Sequence, residues 1–387
     1  MTGAAAGIPK GLIPLLSATN FIIGMGAFVV IGGLTPLAGD LGLTPGEAGL
    51  LLTVYAISYA ILSPLLVALT GGIGRRRVLV AGLSLFTLSN LIAALAPDET
   101  LLLASRVLAA AGAGITTPIT AAVVAALAPP DTRSKALAGV FFGITLAQVI
   151  GVPAGSFIAY TFGWRAAFWT VTALGLPMLA LLWFRVPAGL SFQPVRLSDL
   201  GRTLRDAPAM IAVFFTATFL GAIYMLFTYF TPLMEAKMGF ERNMVTASLV
   251  VFGVGAVVGN WMGGQMTTRL GPARTLLALS CAQAALMVPF SLLPLPLPLF
   301  VILVALWSVC GWSFMAPQQT RLVTLSPQTA PVLLSLNAAA VYAGAAIGSA
   351  MGGVVIARFG IEALGLASGL MATLAIAHIV LSRRLSG

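Results

Sequence analysis

Charged residues are scarce in this chain of 387 residues, because Asp, Glu, Lys and Arg together make up only 8% of it. A soluble protein of ordinary composition carries about 25% charged residues. So few charges could not cover the surface of a soluble protein of this length. The chain is 59% hydrophobic, and its mean hydropathy is +1.04. We therefore expect lipid to be the solvent for most of the chain.

Cysteine and histidine are also rare, with two cysteines and one histidine. Cys281 and Cys310 lie inside apolar runs, which is typical of small buried hydrophobic residues and argues against a disulfide framework. A single histidine and no acid within the apolar runs leave no base–nucleophile pair, phosphate loop or metal cluster. We predict that the protein is not an enzyme and that it holds no cofactor and no metal.

Acidic residues number ten against twenty basic ones, which gives a formal net charge of +10. In a soluble protein this excess would suggest nucleic acid as a partner. Here the basic residues lie in short loops between apolar runs, where they suit an anionic cytoplasmic membrane surface better. The predicted partner is therefore the lipid bilayer, and no nucleic acid is expected.

Twelve hydrophobic runs are long enough to cross a bilayer, which takes about 20 residues per helix. Their approximate limits are 11–35, 46–69, 77–96, 100–127, 134–160, 165–184, 208–231, 244–267, 273–293, 297–319, 332–357 and 361–382. Fifteen of the twenty basic residues fall on one side of the membrane and four on the other, with Arg106 inside a run. The side richer in Lys and Arg is predicted to be cytoplasmic, which puts both termini in the cytoplasm.

One pattern repeats at half the chain length. The stretch 67–79, a helix end followed by a Gly-rich turn and three arginines, returns 197 residues later as 264–276. Such a repeat indicates a duplicated unit, and parallel repeats of this size build transporters. We predict an N-terminal six-helix bundle over 1–186, a linker over 187–207 and a C-terminal six-helix bundle over 208–387.

The predicted linker carries Leu197, Leu200 and Leu204 on one helical face, with arginines mainly elsewhere. This pattern favours a short amphipathic helix on the cytoplasmic membrane surface. A disordered basic linker is the alternative.

Several motifs, in the same order, resemble those of major facilitator superfamily transporters. The turn in 67–79 resembles the family's loop between helices two and three, and 101–114 is similar to its fourth-helix motif. The run 151–155, Gly-Val-Pro-Ala-Gly, resembles its fifth-helix antiporter motif. Further matching stretches are 162–168, 317–321 and 335–340. The last two look like the bacterial drug:proton antiporter branch, within it most like arabinose-, purine- and chloramphenicol-efflux-type permeases.

The resemblance implies an all-α membrane protein whose twelve transmembrane helices form two pseudo-symmetric six-helix bundles. It implies a monomeric transporter in the bacterial inner membrane, with a central cavity lined by helices one, four, seven and ten. The activity it implies is efflux of a small organic molecule, such as a drug, a sugar or a nucleoside-like compound, by alternating access. Coupling to proton antiport and a role in multidrug resistance are part of the same expectation.

Two departures from the family pattern concern gating and proton coupling. The loop motif has Gly71 where the family carries an acid that helps to hold the cytoplasmic side closed, and the second copy has Thr268 there. We therefore predict a weaker cytoplasmic gate. The first helix also lacks the carboxylate that efflux relatives often have. The residues predicted to take part in gating are Gly71, Gly74, Arg75, Arg76, Arg77, Thr268, Arg269, Gly271, Gly151, Pro153 and Gly155.

Arg106 and His378 are the ionisable residues inside the apolar runs, apart from tyrosines and cysteines. A charge in the hydrocarbon region is costly unless paired or hydrated, so it marks a candidate site. We expect Arg106 to face the central cavity and to order a hydrogen-bond network or meet a substrate anion. The alternatives are that it reaches the outer interface or pairs with backbone carbonyls. His378 is interpreted as a packing or interfacial residue, with a proton relay as the alternative.

Neutral polar and aromatic residues within the runs complete the predicted substrate site. Asn and Gln are costly in lipid unless hydrogen-bonded, so most should face the bundle interior. Packing between helices is the alternative for each. With Arg106, the set is Asn20, Phe28, Tyr55, Tyr59, Thr117, Gln148, Tyr224, Phe227, Thr228, Trp312, Gln318, Asn337 and Tyr342.

Three functions remain open from the sequence. A proton antiporter would use Glu47, Asp40 or His378, at the edges of the membrane. A uniporter or exchanger would carry an anionic metabolite on Arg106 without a membrane-embedded carboxylate. A membrane receptor or scaffold would not transport at all.

Overall fold

The computed structural model describes residues 8–129, 132–190, 204–326 and 329–386, and within these ranges the chain is helical, with no strand. Twelve helices are long and apolar enough to span a membrane, as predicted. They are α1 Leu12–Gly32, α2 Pro45–Leu69, α3 Arg75–Leu95, α4 Glu99–Leu127, α5 Lys135–Phe162, α6 Trp164–Arg185, α7 Ala207–Phe227, α8 Arg242–Leu270, α9 Pro272–Leu292, α10 Leu297–Leu325, α11 Val332–Phe359 and α12 Ile361–Arg384.

Prolines interrupt regular helix geometry within some spans. α5 contains a π-helical turn at Ala147–Gly151, two residues before Pro153, and α9 ends in a 3₁₀ turn at Val288–Leu292 that contains Pro289. Proline has no N–H to donate, and its ring crowds the carbonyl one turn earlier. The two prolines therefore explain why the helical hydrogen-bond pattern shifts at these points.

α1 and α7 both break near one end of the molecule and continue as short helices, Leu34–Leu41 and Phe230–Met238. The two short helices share the sequence Thr-Pro-Leu, at 35–37 and 231–233. The equivalent breaks show that the halves repeat in structure as well as in sequence.

Backbone conformation repeats at the 197-residue spacing as well. Gly42 and Gly239 end the two short helices with φ of 66° and 63°, a left-handed conformation that glycine adopts at little steric cost. The pair Gly74 and Gly271, aligned in sequence, differs, with φ of −56° and 80°. The duplication thus preserves the turns after the short helices more closely than the arginine-containing turns.

The helices pack as two six-helix bundles, α1–α6 and α7–α12. Small residues allow the closest approaches within each bundle. The Ser63 hydroxyl of α2 donates to the Gly114 carbonyl of α4 at 2.7 Å. Gly344, Gly348 and Gly352 of α11 lie against the α7 backbone, where a Cβ would overlap backbone atoms.

The division into 1–186, 187–207 and 208–387 agrees with this packing but stays a prediction in its boundaries. The predicted amphipathic helix of the linker falls largely on 191–203, which lie outside the described residues.

Candidate functional site

The two bundles are joined near one end of the molecule, which we call the acidic end because Asp40, Glu47, Glu235, Glu241 and Glu362 lie there. α2 packs along α11, and α5 packs on α8. The opposite end, which carries Arg75–Arg77, Arg269 and Arg383, is called the arginine-rich end. In the described part of the chain, α4 and α10 make no extended contact with the opposite bundle.

Two buried hydrogen bonds join the bundles through backbone carbonyls. The Ser349 hydroxyl of α11 donates to the Gly49 carbonyl of α2 at 2.9 Å. The Thr231 hydroxyl, in the short helix after α7, donates to the Ile31 carbonyl of α1 at 3.1 Å. A Cβ on Gly49 would overlap the Tyr229 ring, so glycine is needed for this close approach.

Two further hydrogen bonds join the bundles closer to the surface of the acidic end. The Tyr160 hydroxyl at the end of α5 donates to the Glu235 carboxylate of the short helix after α7. The Arg242 guanidinium at the start of α8 donates to the Thr161 hydroxyl at 3.0 Å and lies 4.9 Å from the centre of the Phe157 ring. Glu235 is thus an acid held by the opposite bundle.

The π-helical turn of α5 forms part of the same interface. A Cβ on Gly253 of α8 would overlap the backbone of Gln148 and Val149, so the two helices approach closely here. Pro153 lies in the first turn of the α-helix that follows, while Gly151 lies against Met25 and Gly155 against Val29 of α1. The predicted fifth-helix gating residues therefore lie where α5 meets α1 and next to where it meets α8.

Aromatic rings from both bundles meet between the joined end and the arginine-rich end. Tyr59 of α2 stacks on Tyr342 of α11 with ring centres 3.6 Å apart, and Tyr55 meets Tyr342 edge-on at 6.2 Å. Phe28 of α1 stacks on Tyr224 of α7 at 6.3 Å. Five residues predicted for the substrate site thus come together across the bundle interface.

Other predicted site residues lie next to this aromatic group or deeper in one bundle. Phe227 stacks on Phe252 of α8 with ring centres 4.1 Å apart, and the Thr228 hydroxyl donates to the Tyr224 carbonyl at 2.6 Å. Thr117 of α4 lies beside the Tyr59 hydroxyl. Among the described residues, the Tyr55 hydroxyl and the Trp312 indole N–H have no hydrogen-bond partner although both are buried. These two are donors that a bound molecule could satisfy.

Arg106 lies inside the N-terminal bundle and is 1% exposed. Its Nη1 donates to the Gly26 carbonyl at 3.1 Å and its Nη2 to the Ala27 carbonyl at 2.9 Å, both in α1. The guanidinium lies 4.6 Å from the centre of the Tyr55 ring. Arg106 therefore pairs with backbone carbonyls, which was the alternative to a position facing the central cavity. Its contact with Tyr55 connects it to the aromatic group.

The amides Asn20, Gln318 and Asn337 form buried hydrogen bonds within single bundles. Asn20 Nδ2 donates to Thr120 Oγ1 and to the Val140 carbonyl, both at 3.1 Å. Gln318 Nε2 donates to the Ala212 carbonyl at 2.7 Å and lies 3.3 Å from Asn337 Oδ1. Gln148, by contrast, is half-buried in the π-helical turn. The three amides connect helices of one bundle and are not gathered with the aromatic rings.

The gating residues predicted from the loops lie at the arginine-rich end. Gly71 follows α2 in a tight turn, and the Arg75 backbone N–H donates to the Leu190 carbonyl at 2.9 Å. Arg76 lies 4.7 Å from the centre of the Trp183 ring of α6. Arg77 is exposed. In the second half, Thr268 bonds the Gly264 carbonyl, Arg269 is exposed, and Gly271 ends α8 with φ of 80°.

The outer acids considered as proton carriers are held in local structures. The Trp164 indole and the Arg165 guanidinium donate to Asp40, and these hydrogen bonds lower the pKa of its carboxyl from the ordinary value. Glu47 forms a capping box with Thr44 at the start of α2. His378 is half-buried and lies 3.4 Å from the Thr218 hydroxyl of α7.

Sequence reasoning missed the four hydrogen bonds between the bundles. Their partners are 75 to 300 residues apart in sequence, and single hydrogen bonds over such separations leave no motif. The small residues Gly46 and Gly49 near the start of α2 are the one available signal of close helix packing.

Two helix bundles with twelve spans in all, joined near one end and paired through aromatic rings between the two ends, have the architecture of a secondary membrane transporter. The model of the Major Facilitator Superfamily matches residues 16–332, and the chain belongs to this family.

The relatives are transporters of the same length. The chain is 29% identical over 370 residues to the uncharacterized MFS-type transporter YbcL of Bacillus subtilis (strain 168), covering 94% of this chain and 95% of the relative. It is 31% identical over 373 residues to the uncharacterized MFS-type transporter YtbD of the same strain, covering 94% and 93%. It is 29% identical over 382 residues to the inner membrane transport protein YdhP of Escherichia coli (strain K12), covering 96% of each.

The fold is also similar to that of a solved transporter. The crystal structure of a bacterial homolog to the human lysosomal transporter Spinster, in an inward-facing and unoccupied conformation, matches with a TM-score of 0.76 at 17% identity, covering 99% of this chain and 98% of that chain. The matches confirm the family and the twelve-helix fold. The drug:proton antiporter branch stays a prediction.

Proposed function

We propose that this transporter exports a small organic molecule across the bacterial inner membrane by alternating access, in exchange for protons. The observation that carries the proposal is the group of Phe28, Tyr55, Tyr59, Tyr224 and Tyr342, whose rings pair across the two bundles. Such pairs must separate when the bundles rock, so a ligand bound between the rings would respond to the motion.

The substrate class we propose is a neutral molecule with a planar ring. Tyrosine and phenylalanine faces stack on flat rings, and Tyr55 and Trp312 offer buried donors without partners. No carboxylate lies among these residues in the described chain, which argues against a site built for cations. Nucleoside-like compounds and aromatic drugs fit this chemistry better than simple sugars do.

The proposed orientation has the arginine-rich end in the cytoplasm, following the excess of Lys and Arg there. The bundles are joined at the acidic end, so this conformation would face the cytoplasm. Gly71, in place of the acid that would latch the cytoplasmic side in relatives, is consistent with this preference. We propose that the missing acid favours the cytoplasm-facing state.

For proton coupling we propose Glu235. Asp40 and Glu47 are engaged in hydrogen bonds within the N-terminal bundle, whereas Glu235 accepts its hydrogen bond from Tyr160 of the opposite bundle. A carboxylate accepts a stronger hydrogen bond than a carboxylic acid does. Protonation of Glu235 from the outside would therefore weaken one contact that holds the acidic end closed.

A uniporter or exchanger is the second candidate, and one observation favours it. The acids in the described spans lie at helix ends, so the membrane interior offers no carboxylate for a proton. Under this candidate, transport would continue when the pH is equal on both sides.

A flux assay in proteoliposomes separates the two candidates. The purified protein is reconstituted, and uptake of chloramphenicol, inosine and arabinose is measured with and without an imposed pH gradient. Proton antiport predicts that a pH gradient accelerates uptake of chloramphenicol or inosine, the two probes with a planar ring. Glu235→Gln should abolish this acceleration. If the pH gradient leaves the uptake rate of every transported compound unchanged, the result would support the uniporter or exchanger.

A further inference from the structure

A cleft of about 620 Å³ opens at the arginine-rich end of the C-terminal bundle, away from the aromatic group. The starts of α7 and α9 and the ends of α10 and α12 form its walls, through Pro208, Pro272, Thr324 and Arg383 among others. Arg321 of α10 also lines it. The cleft therefore lies where four helices of one bundle end together.

Arg321 has unused hydrogen-bonding capacity in this cleft. Arg321 is only 5% exposed to solvent. Nη2 donates to the Ser382 hydroxyl at 2.5 Å, whereas Nη1 is buried and has no hydrogen-bond partner among the described residues. Buried N–H groups are nearly always paired, so an unpaired guanidinium N–H on a side chain that lines a cleft indicates an acceptor that binds there.

The charge of the cleft points to an anion. Arg383 lies close enough to Arg321 for the two cations to repel each other. Asp206 lines the cleft, but its carboxylate accepts from the Ala209 N–H at 3.2 Å and caps α7. The two salt bridges found among the described residues, Asp40–Arg165 and Lys237–Glu362, lie at the opposite end of the molecule. Neither arginine is neutralised by an ion pair among those residues.

The start of α9 adds one backbone donor. Ala273 lines the cleft at the first turn of this helix, where its backbone N–H has no partner within the helix, whereas Pro272 beside it has no N–H to donate. The positive end of the helix dipole favours an anion at that point. Two arginines and a helix start thus approach one volume from different directions, which suits a tetrahedral oxyanion with several acceptor oxygens.

We propose that this cleft binds a phosphate group, carried by an anionic phospholipid headgroup or by a free phosphate. The phosphate accepts from the Arg321 guanidinium and is neutralised by Arg383. The bound phosphate connects the ends of α7, α9, α10 and α12, and binding therefore stabilises the C-terminal bundle. The site is separate from the aromatic group, and its existence does not depend on the proposed transport function.

The test measures thermal unfolding of the purified full-length protein, with three variants compared with the wild type. Arg321→Gln removes the buried donor and Arg383→Gln the second cation. Arg384→Gln is the matched control, because Arg384 is exposed on the same helix turn and does not line the cleft. The probes are dioleoylphosphatidylglycerol, with dioleoylphosphatidylcholine as the uncharged comparison, and inorganic phosphate against chloride at equal ionic strength. Native mass spectrometry gives the affinity for each lipid.

We expect a phosphate-bearing probe to raise the midpoint of unfolding for the wild type and for Arg384→Gln. Arg321→Gln and Arg383→Gln should lose this rise, with affinity lower by about 10-fold or more. A rise with phosphatidylglycerol alone identifies the lipid headgroup, and a rise with inorganic phosphate identifies a free phosphate. The proposal is overturned if neither probe stabilises the wild type. It is also overturned if Arg384→Gln loses as much of the rise in the unfolding midpoint as Arg383→Gln does. Arg383 is exposed, so its variant gives a result even where Arg321→Gln fails to fold.

Discussion

Arg106 places a positive charge in the interior of the N-terminal bundle without an acid beside it in the described structure. Two carbonyls of α1 accept from it, and the faces of Tyr55 and Phe168 lie 4.6 and 6.0 Å from its guanidinium carbon. Charge-assisted hydrogen bonds and cation–π contacts offset part of the cost of its removal from water, although Nε is buried without a hydrogen-bond partner among the described residues. Arg106 thereby fixes α1 against α4 and holds Tyr55 at the bundle interface.

Replacement of Arg106 with Ala should remove both hydrogen bonds and leave a cavity under Tyr55. We expect a decrease of about 2–4 kcal/mol in the free energy of unfolding, together with loss of transport. Thermal unfolding in detergent and proteoliposome flux measure the two effects. Arg185→Ala, at an exposed arginine on α6, is the control and should change stability little. Wild-type flux and stability in Arg106→Ala would show that neither role exists.

Tyr342 contacts both Tyr55 and Tyr59 from the opposite bundle and is the residue on which the proposed substrate site depends most. Tyr342→Ala removes the ring and should raise the KM for a transported compound about 10-fold, the equivalent of one lost aromatic contact. Tyr342→Phe keeps the ring and should stay close to the wild type. An unchanged KM in the alanine variant would place the substrate elsewhere.

The pH dependence of stability should reveal the role of Asp40. Hydrogen bonds from Trp164 and Arg165 lower its folded-state pKa, so its contribution is complete above the unfolded value of about 3.9. That contribution is lost as the pH falls through the lower folded pKa. The wild type should therefore unfold at a higher temperature than Asp40→Asn at neutral pH, and the difference should shrink only in strong acid. A difference that disappears near neutral pH would contradict this assignment.

At the scale of helices, contact between the bundles depends on glycine backbones that meet irregular turns. Gly253 of α8 lies against the π-helical turn of α5, and Gly46 of α2 approaches Gly353 of α11. Side chains at these points would force the helices apart. The acidic end therefore closes through backbone contacts and a few hydrogen bonds from hydroxyl groups.

Gly253→Val should weaken this closure, because its side chain would overlap the α5 backbone. Spin labels on Thr100 and Leu297, both exposed at the acidic ends of α4 and α10, should report a longer distance in the variant than in the wild type. Gly264→Val is the matched control on the same helix, since a Cβ there meets nothing within 4 Å. Equal distances in Gly253→Val and the control would exclude the α5–α8 contact as a determinant of closure.

The helices themselves could be predicted from sequence because each span is an apolar run of the required length. The 197-residue repeat likewise follows from local residues. The partners of Arg106 could not be predicted, since any backbone carbonyl offers the same acceptor and sequence does not show which helix lies alongside. The pairing of Tyr160 with Glu235 was missed for the same reason, because it joins two helix ends 75 residues apart.

In the whole molecule, the contacts that join the two bundles lie near the acidic end and at the paired aromatic rings. We propose that Gly71 leaves the arginine-rich end without the latching acid that the family pattern implies, and that protonation of Glu235 weakens its hydrogen bond with Tyr160 at the acidic end. Proton uptake at the acidic end should therefore open that end and allow the other to close. The two ends are predicted to respond in opposite directions.

The most direct test follows both ends in one protein, and it requires no knowledge of the substrate. With Cys281 and Cys310 replaced by Ser, spin labels on Thr100 and Leu297 report the acidic end, and labels on Ile73 and Thr324 report the arginine-rich end. Distances are measured in lipid nanodiscs at neutral and at acidic pH, for the wild type, Glu235→Gln and Gly71→Asp.

Acidification of the wild type should lengthen the distance at the acidic end and shorten it at the arginine-rich end. Glu235→Gln should lose this response to pH, and Gly71→Asp should shorten the distance at the arginine-rich end already at neutral pH. Distances that stay fixed, or that change in the same direction at both ends, would contradict proton-coupled alternating access.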